Sequence, residues 1–257
     1  MTVLLHQARY DLRTLARNPA SLFFGLALPL VFLLLLTSFF GEAGGDPRGG
    51  ADGASEEYYV ATIITLGVVS NAFVNFAIGL TVIREWGILQ RVRGTPLSMT
   101  AFIAGRAIAA LTFSTALVVL MLGLSWVVFG IEPPLDQLPG LVVTVVVGTI
   151  AFCCLGIAIS ALIPTEDAAA PIVNGISLPL FFISGTFFPI SSAPDWLQTV
   201  ANVFPVRHLT DAMLTVFDPA TTGAGFEWLN VAIVAAWGVG ALLFALRFFR
   251  WTPRRRA

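Results

Sequence analysis

Long apolar runs separated by short polar stretches dominate this chain. A helix that crosses the hydrocarbon core of a bilayer needs about 20 apolar residues. Six runs reach that length: Ala20–Phe40, Tyr58–Ile83, Ala107–Gly130, Pro139–Ile163, Ala168–Ile190 and Trp228–Phe249. Apart from Arg247, two residues from the end of the last run, none carries Arg, Asp or Glu. The pattern predicts an all-α membrane protein, one domain over residues 1–257 with six transmembrane helices. The first run is too long for a secretory signal, and no small-residue cleavage site follows it.

The polar stretches predict shorter elements. Leu4, Ala8, Leu12 and Leu15 fall on one face of a helix and Arg9, Arg13 and Arg17 on the other. Residues 1–18 therefore read as a helix in the headgroup plane, or as a basic flank that only sets orientation. After the second run, Trp86, Leu89 and Val92 recur every three residues among charges, before Gly94 and Pro96. This predicts a short amphipathic helix whose apolar edge seats in a groove on a cytoplasmic partner, or a turn at the membrane surface. Between the fifth and sixth runs, Phe188-Pro189, Trp196, Leu197, Val200 and Phe204-Pro205 make an apolar edge too short to span. Backbone of this kind enters a membrane only where protein or water satisfies it. Short re-entrant helices that cap the bundle fit the pattern, and so does a surface loop. Pro171 and Pro179 predict a bend in the fifth run.

Composition agrees: 57% of residues are hydrophobic and 11% charged, where soluble domains carry roughly 45–50% and about 25%. The net charge of −1 gives no basic excess to attract nucleic acid. All 14 basic residues are arginine, so their placement is informative. Twelve lie in the N-terminal segment, the stretch after the second run, or the C-terminal tail. The positive-inside rule then puts both termini in the cytoplasm of a cell-membrane protein. The adjacent cysteines Cys153 and Cys154 sit within an apolar run and suggest neither a disulfide nor a metal site.

The chemistry points to no catalytic or metal-binding residues. Without lysine there is no P-loop, so the chain is expected not to hydrolyse ATP itself. His6 and His208, the only histidines, lie outside the apolar runs. Proton-driven transporters carry ionisable residues within the membrane, and these runs have none; energy for transport is expected from outside the chain. Asn71 and Asn75, one helical turn apart, either pack helices together or contact a substrate. Asn174, Ser177 and Phe181 on the fifth run complete the candidate pathway.

With these features together, the chain resembles the membrane subunit of ABC-2 type ATP-binding-cassette exporters, the family of bacterial multidrug and antibiotic-efflux permeases. The resemblance rests on the amphipathic N-terminal helix and six spans. It rests also on Arg84-Glu85-x-Gly87-x-x-x-Arg91-x-x-Gly94-x-Pro96, on Phe188-Pro189 with Pro194-x-Trp196-Leu197, and on Asn202-x-x-Pro205. It implies that Glu85, Gly87, Leu89, Arg91 and Pro96 belong to a coupling helix that touches a separate ATPase subunit. By the same resemblance, residues 1–18 form the interface helix, and the stretch before the last span folds as re-entrant helices. Two permease subunits, identical or related, would enclose a pathway above two ATPase subunits that bind ATP and Mg. The uncharged pathway suits hydrophobic or amphipathic cargo such as drugs or natural products. Alternatives are export of a lipid or lipid-linked glycan and, more distantly, a scaffold that transports nothing.

Overall fold

A computed structural model describes residues 23–41, 45–48, 54–94 and 98–249. The expected interface helix with Arg9, Arg13 and Arg17 lies outside these residues, as does Pro96. The described residues are helical apart from turns, loops and one isolated bridge between Asp46 and Ala54.

A π-helical turn, Phe23–Ala27, leads into α1 (Leu28–Phe40). Helix α2 (Glu56–Val69) continues through a second π-helical segment, Ser70–Asn75, into α3 (Phe76–Glu85). Then follow α4 (Ile88–Arg93), α5 (Met99–Phe129), α6 (Leu138–Ser160) and α7 (Glu166–Ile183). Two shorter helices, α8 (Asp195–Ala201) and α9 (Pro205–Phe217), precede α10 (Trp228–Phe248). Starts are encoded locally. Ser55, Ser98 and Thr165 each accept a hydrogen bond from the backbone N–H three residues on, which satisfies a donor the helix leaves orphaned. Glu56, Glu57, Glu166 and Asp167 place negative charge at the positive ends of α2 and α7.

Among the described residues, four helices are long and apolar enough to cross a membrane: Glu56–Glu85, Thr100–Phe129, Leu138–Leu162 and Trp228–Phe248. The apolar helix Gly25–Phe40 is shorter. The fifth expected run is helical only to Ile183, seven residues before its expected end. There Ser184 turns back to bond the Phe181 carbonyl at 3.1 Å. Pro171 and Pro179 stay inside α7 and do not interrupt it. Helix α5 begins eight residues earlier than expected, so Arg106 belongs to it and stacks over the Phe76 ring at 5.7 Å.

Helix α2 occupies the centre, with every residue from Tyr58 to Val69 buried against α1, α5 and α9. Helix α10 packs most extensively on α6, where Gly238 meets Ala151 so closely that a Cβ at Gly238 would lie 2.7 Å from the Ala151 Cα. Small residues let apolar helices approach in this way when no hydrophobic effect drives them together. Helix α9, buried through Val206, Leu209, Met213 and Val216, fills the space between α2, α6 and α10.

The two asparagines differ in surroundings. Asn71 is buried and donates to the Ala110 carbonyl at 2.9 Å and to Ser114 Oγ at 2.8 Å, fastening the π segment after α2 to α5. Asn75, expected on the same face, is exposed. Asn71→Ala should therefore cost about 1 kcal/mol in chemical unfolding of the detergent-solubilised protein, and Asn75→Ala should leave stability unchanged within error.

Candidate functional site

The densest polar site forms where α3 meets α4. Arg84, 1% exposed, closes the last turn of α3. Its Nε and Nη2 both reach Glu85 Oε1 at 2.8 Å. Nη1 donates to the Ser160 carbonyl at 2.6 Å and Nη2 to the Ile163 carbonyl at 2.7 Å. Ser160 ends α6, where unpaired C=O groups and the helix dipole favour a cation, and Ile163 lies three residues beyond it. The planar guanidinium can serve a carboxylate and two carbonyls at once, which an ammonium on a single point cannot. Beside it, Trp86 Nε1 donates to Glu166 Oε2 in the first turn of α7. The root of α4 is thus wired to the end of α6 and the start of α7.

Gly87 makes the turn possible. It adopts φ +70°, the left-handed region that a side chain disfavours, and redirects the chain from α3 into α4. Helix α4 then shows a different surface from the one its spacing suggests. Leu89 is fully buried in this chain's own core, so it is not available to a partner. A repeat of three marks an apolar edge without saying on which side its cover lies. Glu85 is likewise turned inward as the partner of Arg84, with its side chain 12% exposed. The outward surface consists of Trp86, 62% exposed, with Gln90, Arg91 and Gly94.

The candidate pathway residues divide. Ser177 and Phe181 are buried on α7, and Asn174 is exposed with Ile172, Ile176, Leu178 and Phe182. Asn71 is committed to packing. Asn75 is exposed and approaches α1, where a Cβ at Gly25 would lie 3.9 Å from its Nδ2.

At the opposite end, the expected cap is built differently from its apolar edge. Phe188, Trp196 and Val200 are exposed, Pro189, Leu197 and Phe204 are half-buried, and Pro205 is buried. The cap is held by polar groups that pattern reading passed over. Tyr58 Oη donates to the Gly185 carbonyl. Arg207 pairs with Asp211 at 2.7 Å, one turn on along α9. His208 joins Asn230 Oδ1 at 2.7 Å and the Asn202 carbonyl at 2.9 Å. Arg48 reaches Asp218 at 3.0 Å, fastening the stretch before α2 to the end of α9.

Residues 4–217 match the family described as ABC-2 type transporter. The chain belongs to that family. Among relatives of this permease is the "probable multidrug ABC transporter permease YbhR" of Escherichia coli K12. It is 27% identical over 158 residues, covering 62% of this chain and 42% of YbhR. The permease thus spans about two fifths of the length of that relative. YvfS of Bacillus subtilis, named as a transport permease, is 22% identical over 92% of this chain and 93% of its own. Nodulation protein J of Rhizobium leguminosarum is 28% identical over 75% of this chain and 72% of its own.

Arg84→Met should destabilise the permease by about 3 kcal/mol, because it strands Glu85 and two carbonyls in a buried site. Arg84→Lys should recover less than half of that loss. Thermal unfolding of the purified protein in detergent measures both.

Proposed function

We propose that this permease is the membrane-spanning subunit of an ATP-driven exporter of hydrophobic or amphipathic compounds, energised by a separate ATPase. The carrying observation is the wired turn: an exposed face of Trp86, Gln90 and Arg91 on a short helix whose root is fixed to three transmembrane elements. A partner that pushes on this face acts on α3, α6 and α7 together. In this reading α1 and α7 complete a set of six spans, both termini face the cytoplasm of a cell membrane, and the turn meets the ATPase. Two ATPase copies bind ATP and Mg; the permease supplies no catalytic residue.

The exposed apolar face of α7, with Ile172, Ile176, Leu178 and Phe182 around Asn174, and that of α1, with Val31, Leu35 and Phe39, are left uncovered within one chain. Both suit a pathway shared with a second permease copy. Helices α8 and α9 form the re-entrant cap of that pathway, its apolar lip made by Phe188, Pro189 and Trp196. The multidrug name of YbhR and the scarcity of charge favour drug-like cargo over a lipid-linked glycan.

Arg91 is exposed, so its charge can be reversed without disturbing the core. Arg91→Glu should leave the unfolding temperature unchanged. It should lower cargo-stimulated ATPase activity of the assembled complex about tenfold, as charge reversal at a contact does, and cells should retain a hydrophobic fluorescent dye. Unchanged stimulation and efflux would refute the coupling role of this face.

A further inference from the structure

Ser177 is 2% exposed, yet its Oγ has no hydrogen-bond partner. In a helix, a serine hydroxyl ordinarily bonds back to a carbonyl one turn earlier, as Thr210 and Thr81 do here. Leaving a buried hydroxyl unpaired costs about 1–3 kcal/mol. Ser177 instead lines a cavity of about 190 Å³ inside one protomer, walled by Phe73, Phe152, Phe181, Phe204 and Trp237. The cavity brings together the α2–α3 helix, α6, α7, α9 and α10, and its lining is otherwise apolar. A single hydroxyl is too few partners for an ordered water, which needs two to four. Dry apolar cavities of roughly 150 Å³ bind a ring-sized hydrocarbon.

Trp237 also borders a second, open space of about 520 Å³ between α6 and α10, and Leu155 and Ile159 line both. Trp237 is 38% exposed and Ile176 37%. The inner cavity and the apolar outer groove therefore share the Trp237 indole as a wall.

We infer that this cavity is a binding site within each permease subunit for a small hydrocarbon or aromatic compound bearing one hydrogen-bonding oxygen. The occupant enters along the α6–α10 groove, its apolar body fills the aromatic box, and its oxygen pairs with Ser177 Oγ. The site adjoins the uncovered face of α7 through Ile176 and does not require that the chain transport anything. Binding is measured on the permease alone, so its failure leaves the exporter reading standing.

The probe is 8-bromooctan-1-ol, whose bromine quenches nearby indole fluorescence, with 1-bromooctane as the control lacking the oxygen. The signal is the fluorescence difference between wild type and Trp237→Phe in detergent. Saturable quenching by the alcohol is expected, with the bromoalkane binding several-fold more weakly. Ser177→Ala should weaken the alcohol about fivefold, in line with one hydrogen bond, and abolish the preference over the bromoalkane. Its unfolding temperature without ligand should not fall, because the lost hydroxyl had no partner. Ser177→Val, which puts a methyl in place of the hydroxyl and adds a second at Cβ, should likewise lose the preference for the alcohol over the bromoalkane. Non-saturable quenching, equal in wild type and both variants, would overturn the site. A preference for the alcohol that survives both variants would overturn the role of Ser177.

Discussion

A positive charge with almost no access to water is the constraint on which the lower half of this bundle depends. Burying the Arg84 guanidinium unpaired would be prohibitive. It is tolerated because Glu85 supplies the opposite charge, and Ser160 at the end of α6 and Ile163 just beyond it supply two carbonyls. Each group solves the other's problem. The end of α6, the turn at Gly87 and the burial of Leu89 are all geometries that keep this exchange intact.

The same rule governs the other end more loosely. There the satisfaction of polar groups is spread over Tyr58, Arg207, His208 and Arg48, each joining two elements distant in sequence. No single group there is as central as Arg84. Between the two ends, polar side chains are few and mostly neutral, and the π segment after α2 is fastened to α5 by Asn71 with Ser114. Helix contact elsewhere relies on close approach of small residues such as Gly238 and Ala151.

Much of the architecture was legible before any coordinates, because length and apolar composition are all that a membrane demands of a spanning helix. The runs beginning near Tyr58, Ala107, Pro139 and Trp228 correspond to the four helices long and apolar enough to cross. Sidedness was harder. The spacing of Trp86, Leu89 and Val92 shows an edge, but only packing shows that Leu89 faces home and Trp86 faces out. The spacing of Asn71 and Asn75 shows a shared side of the helix, but only packing shows that Asn71 is buried and Asn75 exposed. Helix α9 announced itself through Pro205 at its first turn and Val206, Leu209, Met213 and Val216 on one face. The orphaned hydroxyl of Ser177 had no sequence signal, since it depends on what five elements leave empty.

The π segment has a mechanical meaning of its own. A π turn is an α-helix holding surplus chain, and sliding back into α geometry would rotate everything below by about 100° and shift it about 1.5 Å per residue released. Asn71 within the segment and Arg84 below it pin both halves to other helices. The helix from Glu56 to Glu85 therefore behaves as a shaft clamped at two points with slack wound between them. A twist applied at one clamp is taken up in the slack before it reaches the other.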